Sequence, residues 1–155
     1  MNSAGQYIGS LIKKGGHKQS KIARAIGLPE GKLLKMQTEN SIHNYKQQLE
    51  NELAGNLLKA NAFWSYANMS AENIPDEELI EKTFIYLDLR DIARLFELYP
   101  RNYIRKVWRE NMAIQGDYLF NLNVMIALYY FDIRQPEKYL KNVEQEHIKH
   151  LLDHA

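Results

Sequence analysis

Residues 75–100 read PDEELIEKTFIYLDLRDIARLFELYP, and this stretch decides the fold class because it contains the signals for two consecutive helices. Pro75 suits the first turn of a helix, and the three carboxylates that follow it favour the positive end of the helix dipole. Asp88 can cap a second helix over residues 89–99, which Pro100 ends. Apolar residues recur three and four positions apart between these signals, as in helices that bury one face.

The same helical period continues in both directions from this stretch and predicts an all-α protein. Upstream, we expect helices over residues 7–14, 19–26 and 30–37, and a long helix from Asn40 or Ser41 to about Ala60. Downstream, we expect helices over residues 102–113, 118–131, 136–140 and 143–152. The predicted organisation is a segment of short helices over residues 1–40, followed by a helical bundle domain over residues 41–155.

Composition places the chain among ordinary globular proteins. Its 155 residues include 45% hydrophobic and 25% charged side chains, a balance that excludes the disordered and collagen-like classes. Cysteine is absent, which excludes disulfides, thiol catalysis and thiolate metal sites. No apolar run approaches the roughly 18 residues that a membrane span needs, and the N-terminus lacks the pattern of a secretory signal. We therefore expect a cytoplasmic protein without a membrane partner.

Charge is segregated along the chain although the net charge is only +1. Residues 1–39 contain seven Lys/Arg and two Asp/Glu, residues 40–99 contain five and ten, and residues 100–155 contain eight and seven. A basic N-terminal segment suits a polyanion, whereas an acidic middle segment suits a basic partner or the basic end of another copy. The alternative interpretation is that each charged face is only solvated.

Residues 19–34, QSKIARAIGLPEGKLL, resemble a helix-turn-helix of the phage-repressor (Xre/Cro) type. In such a motif Ile22 faces the core, Ala23 is small where the recognition helix crosses, and Gly27 permits the sharp turn between the helices. The resemblance covers about residues 7–37. It implies a DNA-binding transcriptional regulator, and such proteins usually dimerise to read two half-sites.

The resemblance also implies which side chains would contact DNA. We assign phosphate contacts to Lys18, Lys21, Lys32 and Lys35, and we place Glu30 and Lys32 nearest the bases. The family usually has Ser, Arg, Gln or Thr at the start of the recognition helix, where this chain has Pro-Glu-Gly. Three alternatives therefore stay open: a DNA-binding motif, a degenerate helix-turn-helix that serves as a scaffold for protein–protein interaction, or a coincidental match to the pattern.

The rest of the chain, over about residues 63–141, resembles a different group of proteins. The shared features are FW at 63–64, ELIEKT at 78–83, DLRDI at 88–92, LFELY at 95–99, IRKVW at 104–108, and a block from Tyr118 to Leu140. These features are similar to those of small bacterial proteins, chiefly from Bacteroidetes, that are encoded beside AbiE-type nucleotidyltransferase toxins. The resemblance implies an antitoxin-like partner or regulator whose cognate partner is a toxin protein.

Two sets of residues are candidates for the partner-binding surface. One is the aromatic cluster of Phe63, Trp64 and Tyr66, for which the alternative is a place in the core. The other is acidic and consists of Glu77, Glu78 and Glu81. In an interaction module these two sets would dock a partner enzyme.

No catalytic signature is present in the sequence. It lacks a phosphate-binding glycine loop, a nucleophile elbow and a metalloprotease helix, so we expect a non-enzymatic protein without a cofactor. His147, His150 and His154 share one helix face and form a weak metal-site candidate, with a polar C-terminal tail as the alternative. Three arginines at 101, 105 and 109 form a basic stripe that could bind RNA or a second copy, with simple solvation as the alternative.

Overall fold

The computed structural model describes residues 30–66 and 69–154, and every regular element within these ranges is helical. Six α-helices are present there: α1 (Glu30–Lys59), α2 (Asp76–Tyr86), α3 (Leu89–Leu98), α4 (Arg101–Val107), α5 (Phe120–Phe131) and α6 (Pro136–Asp153). Two 3₁₀ turns, Ala71–Asn73 and Gly116–Leu119, and a π-helical segment, Trp108–Met112, lie between them. The all-α prediction is confirmed for these residues. The helices predicted over 7–14 and 19–26 lie outside them.

The helix starts predicted around residues 75–100 are confirmed. α2 begins directly after Pro75 and has three acidic residues in its first turn. Asp88 caps α3, because its Oδ1 accepts hydrogen bonds from the backbone N–H groups of Arg90 (2.9 Å) and Asp91 (3.0 Å). These bonds satisfy two of the donors that the first turn of a helix leaves without an internal partner.

Two predicted helix breaks were wrong. The predicted helices over 30–37 and from Asn40 or Ser41 are one helix, α1, and those over 136–140 and 143–152 are one helix, α6. Ser41 does not cap a new helix: its hydroxyl donates to the Gln37 carbonyl one turn earlier, at 2.9 Å. A serine can bond in this way inside a helix, so its preference for caps does not by itself create a boundary. None of the helices within the described ranges is both long and apolar enough to cross a membrane.

The chain divides into two units between Gln48 and Leu49. Residues 30–48 of α1 belong to the first unit, where Ile42 and Tyr45 are about half exposed. Within the second unit, Leu53 and Leu57 are fully buried in the core.

Trp108 is the largest fully buried side chain of the second unit. Its ring stacks on Tyr139 of α6, at 6.0 Å between centroids, and packs against Phe131 of α5 at 5.1 Å. Its indole N–H donates to Asn123 Oδ1 at 2.9 Å, which satisfies the only polar atom of the side chain. The π-helical segment thus packs against both C-terminal helices.

Candidate partner-binding and DNA-binding surfaces

The aromatic and acidic sets predicted to bind a partner meet in the structure. Tyr66 Oη donates to Glu78 Oε1 at 3.3 Å, although the two residues are twelve positions apart in the sequence. Glu77 and Glu81 lie one turn apart on the same helix, α2. We use the name acidic–aromatic surface for Trp64, Tyr66, Glu77, Glu78 and Glu81.

The three aromatic residues of the cluster differ in their exposure. Phe63 is buried in the core, and its ring contacts that of Tyr66 edge-on at 6.0 Å between centroids. Trp64 is 75% exposed and Tyr66 is 45% exposed. The core interpretation is therefore confirmed for Phe63, whose ring packs against Tyr66. Trp64 and Tyr66 are exposed and are accessible to a partner.

Two further tyrosines form hydrogen bonds to acidic residues in the first turn of α2. Tyr99 Oη donates to Asp76 Oδ1 at 2.6 Å, and Tyr103 Oη donates to Glu77 Oε1 at 3.3 Å. Sequence reasoning missed these two residues. No local signal identifies them, because Pro100 separates α3 from α4 and the distance of 5.7 Å between the two ring centroids follows from how these helices pack.

Burial and the neighbouring carboxylates raise the pKa of both tyrosines. Burial, and then the hydrogen bond to Asp76, raises the pKa of Tyr99 far above its usual value. Burial, the charge of Glu77 and the hydrogen bond to it raise the pKa of Tyr103 as well. Both phenols therefore stay protonated and continue to donate to the carboxylates throughout the physiological range.

Glu81 and Glu78, the other two acidic residues of this surface, differ in their hydrogen bonding. Glu81 Oε1 accepts from the Gln115 side-chain amide at 3.3 Å. Glu78 Oε2 is shielded from solvent and has no hydrogen-bond partner among the described residues. Carboxylates can bind a basic partner, and the face of an exposed aromatic ring also attracts cations.

The structure covers part of the predicted DNA-binding set. Lys18 and Lys21 lie outside the described residues, and Glu30 and Lys32 lie in the first turn of α1. The Lys35 side chain is 77% exposed, and its Nζ lies 3.9 Å from Glu39 Oε1, one turn further along the helix. An exposed pair at this distance is weak and leaves the ammonium accessible.

The three histidines near the C-terminus do not converge on a metal site. The rings of His150 and His154 stack at 4.2 Å between centroids, and His154 Nδ1 lies 2.8 Å from the His150 carbonyl oxygen. Within residues 30–66 and 69–154, no group of three or more His, Asp or Glu side chains is arranged to hold a metal ion.

The arginine stripe is engaged by neighbouring elements. Arg101 pairs with Asp132 at 2.7 Å, and Arg109 pairs with Glu146 at 2.7 Å. The Arg105 guanidinium lies 5.9 Å from the centroid of the Phe131 ring. All three side chains are exposed, as the solvation interpretation predicts, and each also contacts another part of the bundle.

Comparison with known proteins gives no relative for the chain. No family model, no curated protein and no solved structure matches it.

Proposed function

We propose that this chain is a non-catalytic regulator of the antitoxin type. Its helical bundle binds a partner protein through the acidic–aromatic surface, and its basic N-terminal segment binds DNA. The observation that carries the proposal is the exposure of Trp64, two residues before Tyr66, whose hydroxyl donates to Glu78 of α2. Because DNA is one of its ligands, the proposal places the protein in the cytoplasm.

An exposed tryptophan is a typical anchor of a protein interface. Tryptophan is enriched among the few interface residues that contribute most of the binding energy, and a large exposed apolar side chain rimmed by polar groups marks an interaction site. Trp64 is 75% exposed and lies two residues before Tyr66, which is hydrogen-bonded to Glu78. The carboxylates of Glu77, Glu78 and Glu81 on α2 favour a partner with a basic contact surface.

Lys35 supports the DNA-binding half of the proposal. Its exposed ammonium suits a phosphate contact of the kind that positions a helix on DNA. The alternative, a protein–protein interaction module with a degenerate helix-turn-helix, is favoured by one observation. α1 continues to Lys59 instead of ending near Gln37, so it is much longer than the recognition helix that the sequence predicts.

The partner-binding half is tested with the protein encoded by the neighbouring gene. We expect isothermal titration calorimetry to show binding, and Trp64→Ala to weaken it by about 2 kcal/mol, which is roughly a thirtyfold loss of affinity. The matched control is Tyr129→Ala, which removes another exposed aromatic side chain, 81% exposed, from α5.

The control should change the affinity less than about twofold. Equal losses in the two variants, or an unchanged affinity in Trp64→Ala, would reject the acidic–aromatic surface as the binding site.

A further inference from the structure

A pocket of about 320 Å³ lies between residues 113–123 and α6. Its apolar part is formed by Ala113, Phe120 and Leu140. This volume is at the small end of the range for ligand sites, which are usually apolar clefts with a few placed polar groups. The pocket is separate from the acidic–aromatic surface, with which it shares no residue.

The polar rim of the pocket is predominantly acidic. Glu137, Lys141 and Glu144 line it from α6, where their spacing of four and three positions places them on one helix face. Asp117 lines it from the 3₁₀ turn Gly116–Leu119. None of these four side chains forms an ion pair with another described residue. Three carboxylates and one ammonium therefore line the pocket without a direct ion pair among them.

A buried polar side chain also lines the pocket. Asn123 is 1% exposed, and its amide orientation is fixed because Oδ1 accepts from the Trp108 indole and Nδ2 donates to the Met112 carbonyl, each at 2.9 Å. An amide nitrogen has two N–H groups, so the second has no partner among the described residues. A buried donor without a partner is unfavourable unless a ligand or water accepts its hydrogen bond.

The backbone beside the pocket is unusual in two ways. The backbone N–H of Ala113 bonds to the Trp108 carbonyl five residues earlier, and π-helical turns of this kind occur frequently at functional sites. Gly116 has a φ of +57°, and a Cβ atom there would lie 3.2 Å from Glu144 Oε1. Glycine at this position therefore allows the turn and lets the Glu144 carboxylate approach the backbone closely.

We propose that this pocket binds a free basic amino acid of the lysine class. The two ammonium groups of such a ligand pair with the carboxylates of Asp117, Glu137 and Glu144. Its carboxylate accepts hydrogen bonds from Lys141 and from the second N–H of Asn123. Its methylene chain packs on Phe120 and Leu140. This assignment gives a partner to each unpaired group of the pocket, and it does not depend on the proposed regulator function.

The test compares three probes in calorimetric titrations of the full chain. L-lysine carries every group that the pocket recognises, cadaverine lacks the carboxylate, and L-norleucine lacks the side-chain ammonium. We expect L-lysine to bind, and each of the other two to bind at least about tenfold more weakly. Absence of L-lysine binding, or cadaverine binding as tightly as L-lysine, would overturn the assignment.

Variants of the pocket residues test the contacts to the carboxylate and to the ammonium groups of the ligand separately. Lys141→Met should weaken L-lysine binding by about tenfold without weakening cadaverine binding, because only L-lysine has a carboxylate for Lys141 to contact. Glu137→Gln/Glu144→Gln should weaken both probes by at least about tenfold. The matched control, Glu72→Gln/Asp153→Asn, removes two exposed carboxylates elsewhere and should change neither affinity more than about twofold.

A loss in the control equal to that in the pocket variants would show non-specific attraction and reject the site. Far-ultraviolet circular dichroism of every variant confirms that each is folded before titration. The peptide Gly-Gly-Lys distinguishes the source of the ligand: if it binds more tightly than L-lysine, the free amino acid is the wrong ligand and the pocket takes a peptide terminus.

Discussion

Thr83 of α2 is fully buried, and its hydroxyl oxygen has no hydrogen-bond partner among the described residues. A buried hydroxyl without a partner lowers stability, whereas valine fills nearly the same volume without a polar atom. We expect Thr83→Val to raise the free energy of unfolding by about 1 kcal/mol in urea denaturation. Thr83→Ala, the control, should lower it because it leaves a void. A valine variant less stable than the parent would contradict the absence of a partner.

Tyr99 makes the stability of the fold sensitive to alkaline pH. Burial and the hydrogen bond to Asp76 raise its pKa in the folded state, whereas the unfolded chain titrates near pH 10. The contribution of this group is therefore fully present below about pH 10 and is lost as the pH rises above that value.

We expect the free energy of unfolding to fall less steeply above about pH 10 in Tyr99→Phe than in the parent protein. Urea denaturation in steps from about pH 8 to pH 11 measures the two slopes. Tyr103 and Tyr130, whose pKa values are also raised by burial, should leave a residual slope in the variant. Identical slopes would show that Tyr99 does not contribute.

Among the helices, α3 depends most clearly on a single terminal residue. Asp88 accepts two backbone hydrogen bonds at its start, so Asp88→Ala should lower the free energy of unfolding by about 1 kcal/mol in urea denaturation. Asp88→Asn keeps an oxygen acceptor at the cap and should retain most of the stability. If the two variants lose stability equally, the charge of Asp88 rather than its cap bonds supports the helix.

The sequence predicts the helices of this chain better than it predicts their ends. Pro75, Asp88 and Pro100 act through local sterics and local hydrogen bonds, so their effects can be inferred from neighbouring residues alone. Ser41 illustrates the limit, because a serine can cap a helix or bond back inside one, and only the continuing backbone decides between them. Likewise, no local sequence signal predicts the π-helical segment at Trp108–Met112.

At the scale of the whole molecule, sequence reasoning identified the parts of the candidate site but not their contacts. The exposure of Trp64 and the bond between Tyr66 and Glu78 depend on how the turn after α1 packs against α2. Residues twelve positions apart cannot be paired from helical period alone. The ion pair between Arg101 and Asp132 also depends on tertiary packing, because Arg101 begins α4 and Asp132 follows α5 in the sequence.

We propose that this chain is a regulator that binds DNA through its basic N-terminal segment. The most direct test is a fluorescence anisotropy titration of promoter DNA from its own operon, repeated over a range of salt concentrations. The parent protein is compared with Lys32→Ala/Lys35→Ala and with Lys46→Ala/Lys59→Ala, which removes two lysines from α1 outside the helix-turn-helix-like stretch.

We predict that the parent binds and that Lys32→Ala/Lys35→Ala binds more weakly. Loss of two phosphate contacts should reduce the magnitude of the slope of log affinity against log salt by about 2. Lys46→Ala/Lys59→Ala should keep the parent slope. A parent protein that does not bind this DNA, or two variants with the same slope, would contradict the claim and favour the interaction module without DNA.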